Sequence, residues 1–226
     1  MTDTLLTVND ARLTLPGADG PVDILKGVSM EVRAGEVVAV IGASGSGKSS
    51  LLAVSAGLER ATGGSIRLMG EELVGKSEDA LARLRRGRVG VVFQSFHLLP
   101  TLTALENVST ALDVAGIAAG KAARDMARAA LERVGLGHRL GHYPSQLSGG
   151  EQQRVAVARA AAAKPKLIFA DEPTGNLDSA AGAGVRDLLF ALAREDGAGL
   201  FLVTHEPELA AAADRRVELA DGLRIA

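Results

Sequence analysis

The chain has 226 residues, with 25 Lys and Arg against 27 Asp and Glu, a formal net charge of −2, and 47% hydrophobic residues. That size and balance fit one α/β domain, or one domain with a subdomain, with a large buried core and give no electrostatic reason to expect nucleic acid as a partner. With no cysteine, disulfide and thiol chemistry are excluded. No apolar run reaches the roughly 18 residues of a membrane span, and MTDTLLTVND lacks the basic and long apolar regions of a secretory leader. The expected location is therefore cytoplasmic, with any membrane role exercised through a partner.

Taken in order, Leu5 to Asn9 and Arg12 to Leu15 read as short strands, followed by the turn-rich PGADGP at 16–21. Val28 to Arg33 alternates as a strand does, and Gly35 turns the chain into the apolar run Val37 to Ile41. Ser65 to Met69 is a further strand, so a small antiparallel sheet beside a parallel core is expected. Residues 78–86, EDALARLRR, form an amphipathic helix whose arginines, with Arg88, make a basic cluster, read first as a solvated face and second as a contact for anionic lipid head groups or a partner. After the strand Val89 to Phe93, the stretch from Ser95 to Ala163 is helical and alanine-rich, broken at Pro100, Gly116, Gly120 and 135–144. Leu167 to Ala170 and Leu200 to Val203 are strands separated by a helix over 180–194, and VELADGLRIA reads as a hairpin around Asp221-Gly222.

The stretch GASGSGKSS joins a buried strand to a helix. Its residues Gly42, Ala43, Ser44, Gly45, Ser46, Gly47, Lys48, Ser49 and Ser50 fit a phosphate loop. The glycines let successive N–H groups point at an anion, Lys48 reaches the outer phosphates, and the Ser49 hydroxyl can ligate Mg²⁺. A nucleoside triphosphate is the expected ligand. Four apolar runs end at polar groups: at this loop, at Gln94, at Asp171, and at Thr204 and His205. In a parallel sheet ligands sit at the carboxyl ends of strands, so all four ends can converge on one nucleotide. Asp171 can hold Mg²⁺ opposite Ser49, and Glu172 can serve the attacking water as general base. In LSGGEQQR, Leu147 to Arg154, Ser148 stands as an N-cap, and Gly149 and Gly150 open a helix whose start is a second anion site.

LSGGEQQR resembles the signature of ATP-binding-cassette ATPases. The order of phosphate loop, Gln94, signature, LIFADE, GNLD and His205 is similar to that family over essentially the whole chain. The resemblance implies an α/β P-loop fold in a single ATPase domain. Its catalytic core and antiparallel β-subdomain would span residues 1–94 and 164–226, and a helical subdomain would span 95–163. It implies a head-to-tail homodimer in which Ser148, Gly149, Gly150 and Glu151 of one copy close over the triphosphate held by the other, with Ser148 and Gly150 at the γ-phosphate. GNLD, ending at Asp178, would line that interface. Gln94 would sense Mg²⁺ and γ-phosphate, and His205 would contact the γ-phosphate. Leu15 stands where the family commonly stacks adenine on an aromatic ring, so aliphatic packing with Val22 is expected there instead.

Within the family, FQSFHLLPTLTALENV and ADEPTGNLDS resemble the lipoprotein-releasing and macrolide-exporter group (LolD and MacB types), and overall length is similar to the YbbA type. This implies ATP and Mg²⁺ as cofactors and an integral membrane permease with a periplasmic domain as partner. The chain would then lie peripherally on the inner face of the membrane, with no nucleic acid bound. An FtsE-like regulator that transports nothing is the alternative. A soluble DNA-repair or translation ATPase would carry a coiled-coil insertion or a second cassette, and a GTPase switch would carry an NKxD motif; the sequence has neither.

Overall fold

In the computed structural model, which describes residues 3–18 and 20–226, the chain alternates between two sheets. β1 (Thr4–Gly17) and β2 (Gly20–Arg33) form a long antiparallel hairpin and hand the chain to β3 (Val37–Gly42) of the second sheet. After α1 (Lys48–Ser55), β4 (Gly63–Leu68) and β5 (Glu71–Glu72) return to the first sheet, giving the order β2-β1-β4-β5. The two short strands expected at 5–9 and 12–15 are thus one strand. The break expected between them, at Asp10 and Ala11, falls at a bulge: Val8 pairs with Met30 and Ala11 with Val28. Asp10 takes φ +50 there and donates its N–H to Ser29 Oγ at 2.9 Å. Of the turn expected at 16–21, Asp19 lies outside the described residues.

α2 (Glu78–Arg85) leads to β6 (Val89–Phe93), and α3 (Ala104–Val114), α4 (Gly120–Arg133) and α5 (Gly149–Ala161) fill the alanine-rich block. β7 (Leu167–Asp171), α6 (Ser179–Asp196), β8 (Gly199–Val203), α7 (Pro207–Ala211), β9 (Arg215–Ala220) and β10 (Leu223–Arg224) complete the chain. The second sheet runs β10-β9-β3-β8-β7-β6, parallel throughout except for the terminal β9–β10 pair. Its central strands β7 and β8 are buried on both faces, which is why they read as unbroken apolar runs rather than alternations. Asp221 and Gly222 take φ +48 and +74, the two positive values that a tight hairpin turn requires. The short α7, which opens on Pro207, has no counterpart in the sequence reading.

Three apolar clusters set the layers. α1 is buried between the sheets, where Leu51 and Leu52 pack with Leu6, Val38 and Phe201; fully burying each leucine stabilises the fold by roughly 1.5–3 kcal/mol. Phe169 and Phe201 tilt against each other in the same layer at 5.3 Å between ring centroids. On the opposite face, Val185 and Leu189 of α6 cover Val37, Ile168 and Leu200. The third cluster lies among α3, α4 and α5, with Val108, Leu112, Leu131 and Val155 at its centre. Helix α5 faces two ways: Val155 and Ala158 join that cluster, while Val157 joins the one under the parallel sheet. No helix among the described residues is long and apolar enough to cross a membrane.

Candidate nucleotide site

The loop between β3 and α1 is shaped by close backbone approaches. A Cβ on Gly42 (φ +147) would lie 2.2 Å from the Leu219 carbonyl, and one on Gly47 (φ +98) would lie 3.0 Å from that of Ile24. Only glycine fits both positions. No side chain caps the start of α1, so its first N–H groups stay open toward the loop. Lys48 is buried and donates from Nζ to the Gly42 and Ala43 carbonyls at 2.9 and 2.8 Å. A cavity of about 640 Å³ opens over this loop, lined by Ser44, Gly45 and Gly47 to Ser50, with Gln94, Glu172, His205 and Ile24 on its sides. The ends of β3, β6, β7 and β8 therefore do converge on one space.

Ser49 donates its hydroxyl to Asp171 Oδ1 at 3.1 Å. Burial, reinforced by the neighbouring Glu172 charge, holds the Asp171 carboxyl above the usual range, while the Ser49 hydrogen bond and Lys48 pull the other way. Glu172 sits at φ +44, a left-handed conformation that side chains rarely adopt, and its N–H donates to the Val203 carbonyl at 2.9 Å. Its Oε2 accepts from His205 Nδ1 at 2.9 Å and from the His205 backbone N–H at 3.3 Å. Gln94 is exposed and exchanges two hydrogen bonds with Asn176: its Nε2 donates to Asn176 Oδ1 at 3.2 Å, and its carbonyl accepts from Asn176 Nδ2 at 3.1 Å.

Other expected residues lie elsewhere. Ser148 caps α5 by accepting the Glu151 N–H at 3.2 Å, and Glu151 Oε2 accepts the Ser148 N–H at 2.8 Å. Glu151 Oε1 takes Arg139 Nε at 3.1 Å, so this carboxylate is committed to the cap rather than free for a ligand. Gly150 is buried, and a Cβ there would stand 2.8 Å from Ala181 Cβ, which keeps the start of α5 close to the start of α6. Asp178 caps α6 through the Ala181 N–H at 2.9 Å. None of Ser148, Gly149, Gly150, Glu151 and Asp178 lines the cavity.

Leu15 and Val22 face each other as a cross-strand pair, exposed by 37% and 48%, and neither lines the cavity. Ile24 does. It is the extra residue between the pairs Leu13–Leu25 and Thr14–Asp23, and that bulge gives it a direction alternation does not provide. Sequence reasoning missed Ile24 for that reason. It also missed the Asn176 link, which joins loops 82 positions apart and leaves no local pattern.

Comparison with known proteins shows the family. The ABC transporter family matches over residues 25–175. The chain is 48% identical to the uncharacterized ABC transporter ATP-binding protein YbbA of Escherichia coli K12, covering 97% of this chain and 96% of that one. It is also 48% identical to the lipoprotein-releasing system ATP-binding protein LolD 2 of Caulobacter vibrioides, covering 98% and 97%. Against the macrolide export ATP-binding/permease protein MacB of Shigella flexneri it is 45% identical over 96% of its own length but only 33% of that protein. Among solved structures, the dimeric post-hydrolysis state of the ATP-binding cassette MJ0796 bound to ADP and Pi superposes with a TM-score of 0.91 at 37% identity, covering 98% and 97%. With the phosphate loop, the Asp171–Glu172 pair and the capped signature helix in one fold, the chain belongs to the ATP-binding ABC transporter ATPases, as a subunit homologous to LolD and MacB.

Proposed function

We propose that two copies of this chain close head to tail around two ATP molecules and thereby move an integral membrane permease subunit that carries a periplasmic domain. One observation carries the reading: the cavity holds the phosphate loop and the hydrolytic side chains, yet the capped, glycine-opened start of α5 is not among its walls. A second anion-binding helix end outside the first site is what a composite site needs from a neighbouring copy. The dimeric MJ0796 cassette supports this arrangement, and the LolD and MacB relatives support a membrane partner. The chain would then work at the inner face of the membrane, held there by that partner.

In this reading Lys48 exchanges the Gly42 and Ala43 carbonyls for the outer phosphates. Ser49 and Asp171 supply the hard oxygen donors that Mg²⁺ prefers, and a Mg²⁺ held there would offset phosphate charge. Glu172 Oε2 is occupied by His205, which leaves Oε1 to take a proton as water attacks the γ-phosphorus and the bond to the β-bridging oxygen breaks. Such a base contributes roughly 10²–10⁴ in rate. Gln94 and Asn176 carry the change at the γ-phosphate to the block 95–163, which moves as a unit with the permease.

The test is Glu172→Gln, nearly the same shape without the base. Hydrolysis should fall by about two orders of magnitude or more, and a dimer should accumulate on size exclusion with ATP and Mg²⁺. A variant that stays monomeric at every protein concentration contradicts the closed-dimer reading.

A further inference from the structure

Gln153 is the most completely buried amide in the described chain, with no exposed surface. It projects from the second turn of α5, five positions after Ser148. Its Nε2 donates to the Phe93 carbonyl at 3.2 Å and to the Pro173 carbonyl at 2.7 Å. Phe93 directly precedes Gln94, and Pro173 directly follows Glu172. One side chain of the signature helix therefore grips the exits of two adjacent strands, β6 and β7, at the two points where the site's polar groups begin. On the outer side the same two loops are tied by Gln94 and Asn176.

The amide orientation follows from its partners. Turned over, its oxygen would face two carbonyl oxygens, so Nε2 must be the atom between them. Gln153 Oε1 is left buried without a partner. A methionine would fill the same volume and remove the unpaired Oε1, but it would take the Nε2 donor away from the Phe93 and Pro173 carbonyls. What glutamine adds is a donor pair that fixes two carbonyls at a set separation.

We propose that Gln153 is a positioning residue for hydrolysis. It sets Glu172 and Gln94 at their working separation and passes any shift of α5 relative to the sheet to both of them together. The start of α5 is where the neighbouring copy's nucleotide would press, so ligand contact at Ser148 would register at Glu172 through one buried amide. This inference rests on the reading of Glu172 as the base.

The experiment compares Gln153→Met and Gln153→Glu with the parent chain, alongside Glu172→Gln. Gln153→Met should fold but melt below the parent, because two carbonyls lose their buried donor; it should keep KM for ATP within about twofold, while kcat drops about tenfold or more, since small misplacements of reacting groups are costly. In Gln153→Glu the ionised acid presents only oxygens to the two carbonyls, whereas the protonated acid donates one hydrogen bond. Burial raises the pKa of such an acid, so kcat relative to the parent should rise as pH falls from about 8 to 6, while the Gln153→Met ratio stays flat. A folded Gln153→Met with parental kcat overturns the inference, as does one in which KM rises as much as kcat falls. If Gln153→Met does not fold, a Gln153→Glu ratio that is flat with pH overturns it and a rising one supports it. Glu172→Gln separates the two readings. Parental kcat in that variant removes the base and this inference together. An inactive Glu172→Gln beside a fully active Gln153→Met removes the inference alone.

Discussion

Ser49 and Asp171, separated by 122 positions in the chain, meet at 3.1 Å between hydroxyl and carboxylate oxygen. The parallel sheet makes this contact, because β3 and β7 flank β8 and deliver both residues to the same end. Burial holds the Asp171 carboxyl above its ordinary range, so its ionised form is penalised in the fold. The stability tied to the protonated group is fully present below the usual aspartate pKa of about 4 and is lost as pH rises through the raised folded value. At neutral pH without Mg²⁺, Asp171→Asn should therefore melt above the parent. The advantage should shrink and vanish as pH falls toward about 4. Melting curves across pH check this; Mg²⁺ with ATP should then stabilise the parent and not the variant.

The apolar part of the cavity wall gives a second prediction. Ile24 lines the cavity while the Leu15–Val22 pair stands exposed. Ile24→Ala should weaken ATP binding about threefold or more through lost apolar contact. Leu15→Tyr tests the exposed pair: a Kd tighter by about 1 kcal/mol, near fivefold, puts that pair against the base, since stacking adds beyond area. Titration calorimetry with ATP and GTP reads both. An unchanged Leu15→Tyr beside a weakened Ile24→Ala places the base on Ile24 alone.

The segment after Gln94 gives a third. Its backbone is pinned: Arg159 donates to the Phe96 and His97 carbonyls at 2.8 and 2.6 Å. Asn107 accepts the Leu99 N–H at 2.7 Å and donates to the carbonyls of Leu99, Leu102 and Thr103. Leu98 and Leu105 turn into the helical cluster, but Leu99 is 51% exposed on this rigid support. Leu99→Asp should therefore change stability by less than about 0.5 kcal/mol, keep ATP hydrolysis, and lose the membrane subunit in pull-down. A variant that melts normally and still binds its partner shows that this segment is not the coupling surface.

The parts legible in sequence were those carried by short, continuous patterns. Val37 to Ile41, Leu167 to Ala170 and Leu200 to Val203 announce themselves because strands buried on both faces must be apolar throughout. The hairpin at Asp221-Gly222 is legible from turn chemistry. Features that depend on pairing between distant segments were not legible. Asp10–Ala11 looks like an interruption, and only β2 lying alongside turns this place into a bulge. Ile24 enters the site through another bulge, and Asn107, Asn176 and Gln153 bond carbonyls that the fold, not the local sequence, brings to them. Glu151 and Asp178 read in sequence as facing a nucleotide across a dimer interface, and within one chain both serve in helix caps.

The head-to-tail closure is tested most directly by placing single cysteines on its two halves, which is clean here because the chain has none of its own. In the Glu172→Gln background, Ser44→Cys lies on the cavity floor and Ser148→Cys at the exposed start of α5. A short thiol-to-thiol cross-linker should join the two variants to each other when mixed with ATP and Mg²⁺, with little product without nucleotide or between two copies of the same variant. Cross-linking that ignores ATP, or that joins like to like as readily as unlike, would contradict the composite site.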